Sequence, residues 1–426
     1  MQQLFAGLGL SVRETQTFLK LLELGAQPVS VVAKHVGVPR TTMYFSFGGG
    51  GMPFPGTPAN MGGGGANPEG GAGGTGGDGI GGVPVVEPTL PIVYVGNGDG
   101  QIQMFDLDRD TGSLSSNGAV DAGANPSFLA ASPDKAFLYA VDEGNSEVLA
   151  FAINQNNGNL TEIGTRQSSA GNGPAYVSVD ATGAWVFVAN YGGGTVAVLP
   201  VLIDGSLGAA VDVETPGQNP HLIRSDAANT HVYVPCLGSD IVAQFDFDVT
   251  TGMLEPMASD ADLPAGTGPR HLEFHPSLPV VYVIGELGDS LTTFAVNASG
   301  GLENPVTIST LPNGADPDES NCADLHMHPN GLYLYGSNRG HDSIAHFEVD
   351  DVTGAVSADG HTPTGGDWPR NFGIDPDGSI MLVANQQSDE VVVFFLDPKT
   401  GALGEISTEV TGASPSWVGV VALPLR

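Results

Sequence analysis

One phrase occurs seven times between Ile92 and Arg426, and this repeat constrains the fold more than any single residue does. Each unit opens near a proline with an apolar strand and passes a polar turn to a second strand rich in Val and Tyr. A third strand then ends on an aromatic residue before a T-G-x-L turn. The openings are Pro126, Pro174, Pro220, Pro269, Asn321, Pro369 and Pro415. A period of roughly 46–52 residues with strand patterning in every unit predicts a β-propeller.

The two ends of the repeat predict the number of blades. The first unit enters at Ile92 without its opening strand, and the last opening strand, from Pro415, is followed only by the segment to Arg426. These fragments make up one blade, in which the C-terminal strand closes the ring beside the N-terminal strands and removes the exposed edges of an open array. The predicted fold is therefore an all-β, seven-bladed propeller over residues 89–426.

Charge and composition exclude several classes of protein. The net charge is −34, and the chain beyond residue 47 holds nine basic and 45 acidic residues. Such a body repels phosphate backbones, so we do not expect the propeller to bind nucleic acid. No apolar run of about 18 residues predicts a membrane span. The start lacks the features of a secretory signal, which favours the cytoplasm, whereas a glycine tether and the scarcity of Lys favour an extracellular setting. The compartment stays open.

Residues 1–47 are predicted to form a short helical segment. Ser11 and Glu14 fit a capping box, and apolar residues up to Gly25 outline an amphipathic helix. The stretches LGLSVRETQTFLKLLELG and VAKHVGVPRTTMY resemble the helix-turn-helix of archaeal sugar-responsive regulators of the TrmB type. The resemblance ends where the recognition helix and wing should continue, because glycines intervene from Gly48. We therefore expect a small packing or oligomerisation module, or a fusion remnant, rather than a DNA-binding segment.

Residues 48–88 are rich in Gly, Pro, Ala and Asn. A stretch of this composition cannot bury a core, so a flexible tether is predicted. Its glycine runs do not lie between a strand and a helix, which excludes a phosphate-binding loop. Residues 1–88 are the segment through which the chain could associate with a second copy of itself.

Candidate site residues follow from the geometry of a propeller. The first two strands of a blade are antiparallel, so the start of the first and the end of the second lie on the same face, at one mouth of the central channel. The chemistry-bearing residues at these positions are His221, Arg270, His271, Arg370, Asn371, Asn190 with Tyr191, Glu286, Asn338, Arg339, His341, and Asn385 with Gln386. The three arginines belong to the nine basic residues of the acidic body. Their convergence predicts a ligand with a carboxylate or phosphate.

Each candidate is assigned a role. Glu286 is the predicted general acid or base, with His221 as its partner. Arg270 and Arg339 are predicted to bind an anionic group or a developing oxyanion. The predicted substrate-binding residues are Arg370, Asn371, His271, His341, Asn190 and Asn338. The alternative is a purely structural role, in which the arginines pair with acidic loops and the asparagines cap their turns. The sequence shows no His/Asp cluster of metal ligands. No cofactor is predicted.

Four further residues are predicted to be structural. His275 and His328 each precede a proline in a turn that other blades build with Ser or Asp. Cys236 and Cys322 lie in different blades, without the spacing of a metal or redox pair. We expect both cysteines to be small, buried strand residues.

Several stretches carry a family resemblance. The segments VANYGGGTVAVLPV, GTGPRHLEFHPSLPVVYVIGELGDSLTTF, YGSNRGHDSIAHFEVD and PRNFGIDPDGSIMLVANQQSDEVVVFFLD closely resemble the seven-bladed lactonase family. That family includes propeller-type 6-phosphogluconolactonases and the fungal 3-carboxy-cis,cis-muconate lactonizing enzyme. The resemblance spans residues 91–426. It implies a metal-independent site of one His, two Arg and one Glu, which match His221, Arg270, Arg339 and Glu286.

Three functions stay open at this point. The leading expectation is hydrolysis of an anionic or sugar-acid lactone, in which Glu286 activates water and His221 protonates the leaving alkoxide. A muconate-type cycloisomerase would use the same constellation in related lactone chemistry. A non-enzymatic propeller, serving as a tethered binding or structural module, is the alternative from a different class, because fold does not fix function.

Overall fold

The computed structural model describes residues 89–425, and the segments predicted at 1–47 and 48–88 lie outside the described residues. Seven antiparallel sheets follow one another around a ring. In chain order the strands are β1 (Thr89–Asn97), β2 (Gln101–Leu107), β3 (Leu114–Asp121), β4 (Leu129–Ala131), β5 (Phe137–Asp142), β6 (Glu147–Ile153), β7 (Leu160–Glu162), β8 (Gln167–Ser168), β9 (Pro174–Val179), β10 (Trp185–Asn190), β11 (Thr195–Pro200), β12 (Asp212–Glu214), β13 (Arg224–Ser225), β14 (His231–Cys236), β15 (Ile241–Asp248), β16 (Met253–Pro256), β17 (Ala261–Asp262), β18 (Pro269–Phe274), β19 (Val280–Gly285), β20 (Ser290–Val296), β21 (Leu302–Ser309), β22 (Asn321–Met327), β23 (Tyr333–Arg339), β24 (Ser343–Val349), β25 (Val356–Pro363), β26 (Pro369–Ile374), β27 (Ile380–Asn385), β28 (Glu390–Leu396), β29 (Leu403–Val410) and β30 (Pro415–Pro424). Two 3₁₀ turns, Leu237–Ser239 and Pro317–Glu319, complete the elements.

The ring closes as predicted, with the two chain ends in one blade. The sheet order β3-β2-β1-β30 places the C-terminal strand innermost in the first blade. Strands β1 and β30 pair antiparallel along their length, from Thr89 opposite Pro424 to Asn97 opposite Pro415. The other blades have the orders β4-β5-β6-β7, β9 to β12, β13 to β16, β18 to β21, β22 to β25 and β26 to β29, and β8 and β17 are short additions to the second and fourth. The prediction of seven blades is confirmed.

Two first strands begin later than the repeat predicts. Strand β4 begins at Leu129 instead of Pro126, and β13 begins at Arg224 instead of Pro220. In the fourth blade the opening residues still follow the path of a strand, because Pro220 bridges Cys236 and the His221 amide donates to the Pro235 carbonyl at 3.0 Å. The difference in strand bounds therefore leaves His221 at the expected place.

Neighbouring blades are joined by a repeated hydrogen bond that explains the glycine of the T-G-x-L turn. Five buried tyrosines in second strands donate to a glycine carbonyl of the next blade: Tyr94 to Gly158, Tyr139 to Gly205, Tyr233 to Gly300, Tyr282 to Gly354 and Tyr335 to Gly401, at 2.7–3.0 Å. All five glycines have positive φ, between 68° and 85°. A side chain would be strained there, so the turn requires glycine. In the third blade Phe187 takes the tyrosine position, and Trp185 Nε1 donates to the Val249 carbonyl instead.

The hydrophobic core is divided among the interfaces between blades. One buried cluster joins Ile92 and Tyr94 of the first blade to Leu138 and Phe151 of the second, and similar clusters fill the other interfaces. The second strands are buried on both faces, as in Trp185–Asn190, whose six residues are all buried. This burial accounts for their continuous apolar sequence. A rigid ring of this kind holds the inner strand ends at fixed positions around the channel mouth.

Candidate active site

A β-bulge places the second residue of the inner strand at the channel mouth. In β18, Pro269 pairs with Gly285 and His271 pairs with Ile284, which leaves Arg270 as the extra residue. The same register shift occurs at Ala175 in β9 and at Arg370 in β26. A bulge bends the strand and redirects the side chain of its extra residue. The position after the blade-opening residue is therefore a site position in several blades.

The ends of the second strands supply the other half of the site. Glu143, Tyr191 and Glu286 each follow directly on the second strand of a blade, and Arg339 is the last residue of another. Together the two classes of position enclose a cavity of about 160 Å³ whose lining residues are Glu143, Ala175, Tyr191, His221, Glu286, Arg339 and Arg370. Residues from six different blades, far apart in sequence, thus meet in one small pocket.

Glu286 lies between two arginines in this pocket. Its Oε2 is 2.9 Å from Arg270 Nε and 3.1 Å from Arg339 Nη2. The contact with Arg270 is an ion pair rather than an aligned hydrogen bond, since Arg270 Nε has no hydrogen-bond partner in the part of the chain that the structure describes. Burial raises the pKa of Glu286, but the charges of Arg270, Arg339 and Arg370 outweigh burial and hold the pKa below its usual value. The carboxylate is therefore ionised at neutral pH.

Arg270 does not line the cavity itself but pairs with Glu286, which does. Its side chain is only 2% exposed, and its Nη1 donates to the Ala323 carbonyl at 2.5 Å. Burial lowers the pKa of Arg270 to about 9, against the opposing effect of Glu286. The guanidinium remains charged at neutral pH. A buried cation held by one carboxylate and one carbonyl keeps a fixed orientation beneath the pocket.

Arg339 is fixed from three sides. Its Nη2 donates to the Cys322 carbonyl at 2.9 Å and its Nε donates to the Asn321 carbonyl at 3.3 Å. The guanidinium carbon lies 5.4 Å from the ring centre of Trp368, a cation–π distance. These contacts leave the second ion-pairing partner of Glu286 little freedom to move.

Arg370 differs from the other two arginines because it has no partner. Within residues 89–425 its side chain makes no hydrogen bond and no ion pair, although it lines the pocket. Burial, followed by the charge of Arg339, lowers its pKa. An arginine in such surroundings presents its donors to whatever fills the cavity.

His221 is neutral at the pocket wall. The ring centre lies 5.4 Å from that of Tyr191 and 5.1 Å from that of His271, both in edge-to-face geometry. Its Nδ1 is buried and has no hydrogen-bond partner among the described residues. Burial, with Arg270 next in effect, lowers the pKa of His221 well below its usual value. The imidazolium form is therefore not populated at neutral pH.

A buried carboxylate beneath the pocket connects three blades. Asp324 Oδ1 accepts from His271 Nδ1 at 2.6 Å, and Oδ2 accepts from His326 Nε2 at 3.0 Å and from the side-chain amide of Asn371. His271 Nε2 in turn lies 3.3 Å from Arg270 Nη1. Burial and the neighbouring Arg270 lower the pKa of His271 to about 4, so the neutral ring accepts from Arg270 through Nε2. Asp324 thus orients Arg270 through His271.

The predicted site residues divide into three groups. His221, Glu286, Arg339 and Arg370 line the pocket, and Arg270 lies beneath it. His271 and Asn371 are buried in the network around Asp324. Asn190, Asn338 and His341 do not line the pocket: Asn190 Nδ2 donates to the Ser169 carbonyl, Asn338 Nδ2 donates to the Thr310 carbonyl, and the exposed His341 contacts Ser343 Oγ at 2.7 Å. The two asparagines thus bind backbone carbonyls instead of lining the cavity.

Two residues of the site were missed by the sequence analysis. Glu143 lines the pocket, and its signal was present, because it follows Asp142 as Tyr191 follows Asn190. Asp324 was missed because its position in the interior of β22 carries no such signal. His275 Nδ1 accepts from the Ser277 and Leu278 amides, and His328 Nδ1 accepts from the Asn330 amide, so both rings make the predicted turn contacts. Both cysteines are buried and free, as predicted.

A second cavity, of about 430 Å³, is lined by Arg224 and Glu273, together with His275 and His328 of the turns. Arg224 already pairs with Glu273 at 2.8 Å, so this cavity offers no unpaired arginine. Among the described residues, no three His, Cys, Asp or Glu side chains are grouped as metal ligands. No helix in the same part of the chain is long and apolar enough to cross a membrane.

Comparison with known proteins assigns the chain to a family. Residues 92–420 match the family model described as "Lactonase, 7-bladed beta-propeller". The chain is 32% identical over 334 residues to the 6-phosphogluconolactonase of Pectobacterium carotovorum, covering 78% of this chain and 99% of that protein. It is also 32% identical over 337 residues to the 6-phosphogluconolactonase of Bacillus subtilis, covering 76% and 95%. The solved structure of the Pseudomonas aeruginosa periplasmic gluconolactonase has a TM-score of 0.73 and 29% identity, with 79% of this chain and all of that chain covered. The chain belongs to the seven-bladed β-propeller lactonase family.

Proposed function

We propose that this protein hydrolyses a sugar-acid lactone in the pocket that contains Glu286. The observation that carries the proposal is one ionised carboxylate held between two arginines at the channel mouth, beside a third arginine that has no ion-pair partner within residues 89–425. The relatives named 6-phosphogluconolactonase and gluconolactonase act on lactones of this class and support the assignment. A small-molecule lactone is accordingly the proposed partner.

The proposed reaction uses Glu286 as a proton shuttle. Glu286 removes a proton from a water molecule while the water oxygen forms a bond to the lactone carbonyl carbon. The negative charge that develops on the carbonyl oxygen is stabilised by the neighbouring arginines, of which Arg339 and Arg370 line the pocket. The ring C–O bond then breaks, and the proton passes from Glu286 to the departing alkoxide. Because the pKa of Glu286 is low, its protonated form is a strong acid for this second step.

The neutral state of His221 changes the role that the sequence suggested for it. A ring whose pKa lies well below its usual value carries no proton to donate as an imidazolium at neutral pH. We assign His221 a hydrogen bond that orients the attacking water or the leaving oxygen, beside Tyr191. This assignment leaves one group, Glu286, to perform both proton transfers.

The geometry meets a condition that separates an enzyme from a scaffold. A binding or structural propeller would have been favoured if the four predicted catalytic residues lay far apart around the ring: His221, Arg270, Glu286 and Arg339. Instead both arginines contact Glu286, and His221 lines the same cavity. Cycloisomerisation would use the same groups, so the product of the reaction distinguishes it from hydrolysis.

The test is turnover by the intact protein on a small panel of substrates. Glucono-δ-lactone, 6-phosphoglucono-δ-lactone and a muconate diacid are each incubated with the protein, and products are identified by NMR after subtraction of the uncatalysed rate. We expect acceleration of lactone opening to the hydroxy acid. Cyclisation of the diacid without lactone opening would assign the cycloisomerase, and the absence of both reactions would leave the binding module.

A further inference from the structure

The charged groups of the pocket are not all paired with one another. Glu286 is engaged by Arg270 and Arg339, whereas Arg370 and Glu143 line the pocket without an ion pair in residues 89–425. Two opposite charges that are not joined in the structure are available to a ligand. Their chemistry therefore bears on which substrate the site accepts.

Glu143 is held so that its charge faces the pocket. The Glu143 amide donates to the Asn125 carbonyl at 3.0 Å, and Oε2 accepts from Asn125 Nδ2 at 3.2 Å. Both contacts are to a neutral residue, and within residues 89–425 the Glu143 carboxylate forms no ion pair, although its charge acts on Arg370 across the pocket. A carboxylate with open acceptor positions binds hydroxyl groups well, because each hydroxyl can donate to it.

The balance of charge is unfavourable for a phosphate group. Three arginines and two carboxylates surround the cavity or lie beneath it, which leaves one net positive charge. A phosphate monoester carries about −1.5 to −2 charges at pH 7 and would have only Arg370 as an unpaired cation. It would also approach Glu143, and juxtaposed like charges oppose binding.

The size of the cavity agrees with a compact ligand. Its volume of about 160 Å³ is well below the roughly 300–1,000 Å³ of pockets that enclose drug-sized molecules. One lactone ring with its hydroxyl groups is a ligand of suitable size. A phosphorylated side arm would need space beyond a cavity of this volume.

We propose that Glu143 is a specificity-determining residue that selects an unphosphorylated, polyhydroxylated lactone over its phosphorylated counterpart. This inference rests on the proposed lactone hydrolysis and deepens it. Arg370 and Glu143 both contact the substrate, with Glu143 accepting from ring hydroxyls. The relatives named for the phosphorylated lactone would then differ from this chain in substrate preference.

The test compares two substrates in three proteins. The value of kcat/KM is measured for glucono-δ-lactone and for 6-phosphoglucono-δ-lactone with the intact protein, Glu143→Gln and Glu147→Gln. Glu147 begins β6 in the same blade and does not line the pocket, so its variant makes the same change of charge outside the site. Affinities for the products gluconate and 6-phosphogluconate are measured by calorimetry with the same proteins.

The expected result is a preference of the intact protein for the unphosphorylated lactone by about tenfold or more, which Glu143→Gln reduces by about tenfold. Glu147→Gln leaves the preference unchanged. An equal or greater kcat/KM for the phosphorylated lactone in the intact protein overturns the inference, as does an unchanged preference in Glu143→Gln. Without turnover of either lactone the proposed hydrolysis fails, and calorimetry decides the inference separately. Tighter gluconate binding that depends on Glu143 supports it, and any other binding pattern overturns it.

Discussion

Arg270 lies in β18 and Glu286 directly follows the adjacent strand β19, and Arg270 Nε is 2.9 Å from Glu286 Oε2. The bulge at Arg270 and the strand end before Glu286 bring the two side chains to the same point of the channel mouth. Arg339 reaches the same oxygen from the next blade. This three-residue contact is the centre of the proposed site, and it sets the ionisation of Glu286.

Removal of Arg339 is expected to move the pH dependence of the reaction. The charges of the arginines lower the pKa of Glu286, so Arg339→Gln raises it. The active form is the carboxylate, and the acidic limb of kcat/KM therefore shifts to higher pH in the variant. At pH 7 the loss of charge stabilisation lowers kcat/KM by about 100-fold. Rates between pH 3 and 8 measure both effects. Arg166→Gln, which removes a surface arginine paired with Glu162, serves as control and should leave the profile unchanged.

The Asp324–His326 pair is expected to make stability depend on pH. Burial lowers the pKa of His326, but Asp324 outweighs burial and the pKa is raised above 6.5. Protonated His326 therefore stabilises the fold fully below 6.5, and this contribution is lost as the pH rises through the folded-state value. Asp324 has a folded-state pKa well below 3.8, so its contribution is present above 3.8 and is lost at lower pH.

Urea unfolding at pH 5.5 and 8.5 measures this dependence. We expect His326→Gln to lose more stability at pH 5.5 than at pH 8.5, relative to the intact protein. His341→Gln changes an exposed histidine outside the network and should show no such difference. Equal losses for His326→Gln at the two pH values would contradict the assigned ion pair.

The tyrosine contacts between blades are expected to contribute to stability. Tyr282→Phe removes the donor to the buried Gly354 carbonyl and should lower the free energy of unfolding by about 1–3 kcal/mol. Tyr333→Phe removes an exposed hydrogen bond to the Lys399 carbonyl, which water can replace, so a smaller loss is expected. Chemical unfolding of the two variants makes the comparison. If Tyr333→Phe lowered the free energy of unfolding as much as Tyr282→Phe does, the buried hydrogen bonds would not contribute more to stability than exposed ones.

A chain that begins at residue 89 is expected to keep the activity. Every residue that lines the pocket lies between Glu143 and Arg370, and the ring closes between β1 and β30. The value of kcat/KM for a lactone should agree with that of the intact protein, while any assembly through residues 1–88 is lost on gel filtration. Loss of turnover by a truncated protein that still unfolds cooperatively would give residues 1–88 a part in the reaction.

The fold was predictable because the same pattern of strands and turns occurs seven times in the sequence. The strand pattern, the glycine turns and the split first blade each appear in the sequence, and the structure has the same arrangement. The start of β13 was not predictable, since the segment from Pro220 keeps only isolated contacts with β14. Single interruptions of this kind depend on neighbouring blades rather than on the local pattern.

The site was predictable only in part, because the sequence gives the position of a residue in the ring but not the direction of its side chain. Position alone brought Glu286, Arg339 and Arg370 to one mouth, and all three line the pocket. Position alone did not separate Asn338 from Arg339, although one caps a turn and the other faces the cavity. Adjacent residues at a strand end point in different directions, and the sequence does not say which faces the channel.

The most direct test of the proposed site measures hydrolysis of glucono-δ-lactone by the intact protein, by Glu286→Gln and by Glu390→Gln. Glu390 begins β28 and does not line the pocket, so its variant controls for the loss of one carboxylate. The proposal predicts that Glu286→Gln lowers kcat by at least about 100-fold while Glu390→Gln keeps the activity of the intact protein. Equal rates for the intact protein and a folded Glu286→Gln variant would contradict the proposed role of Glu286.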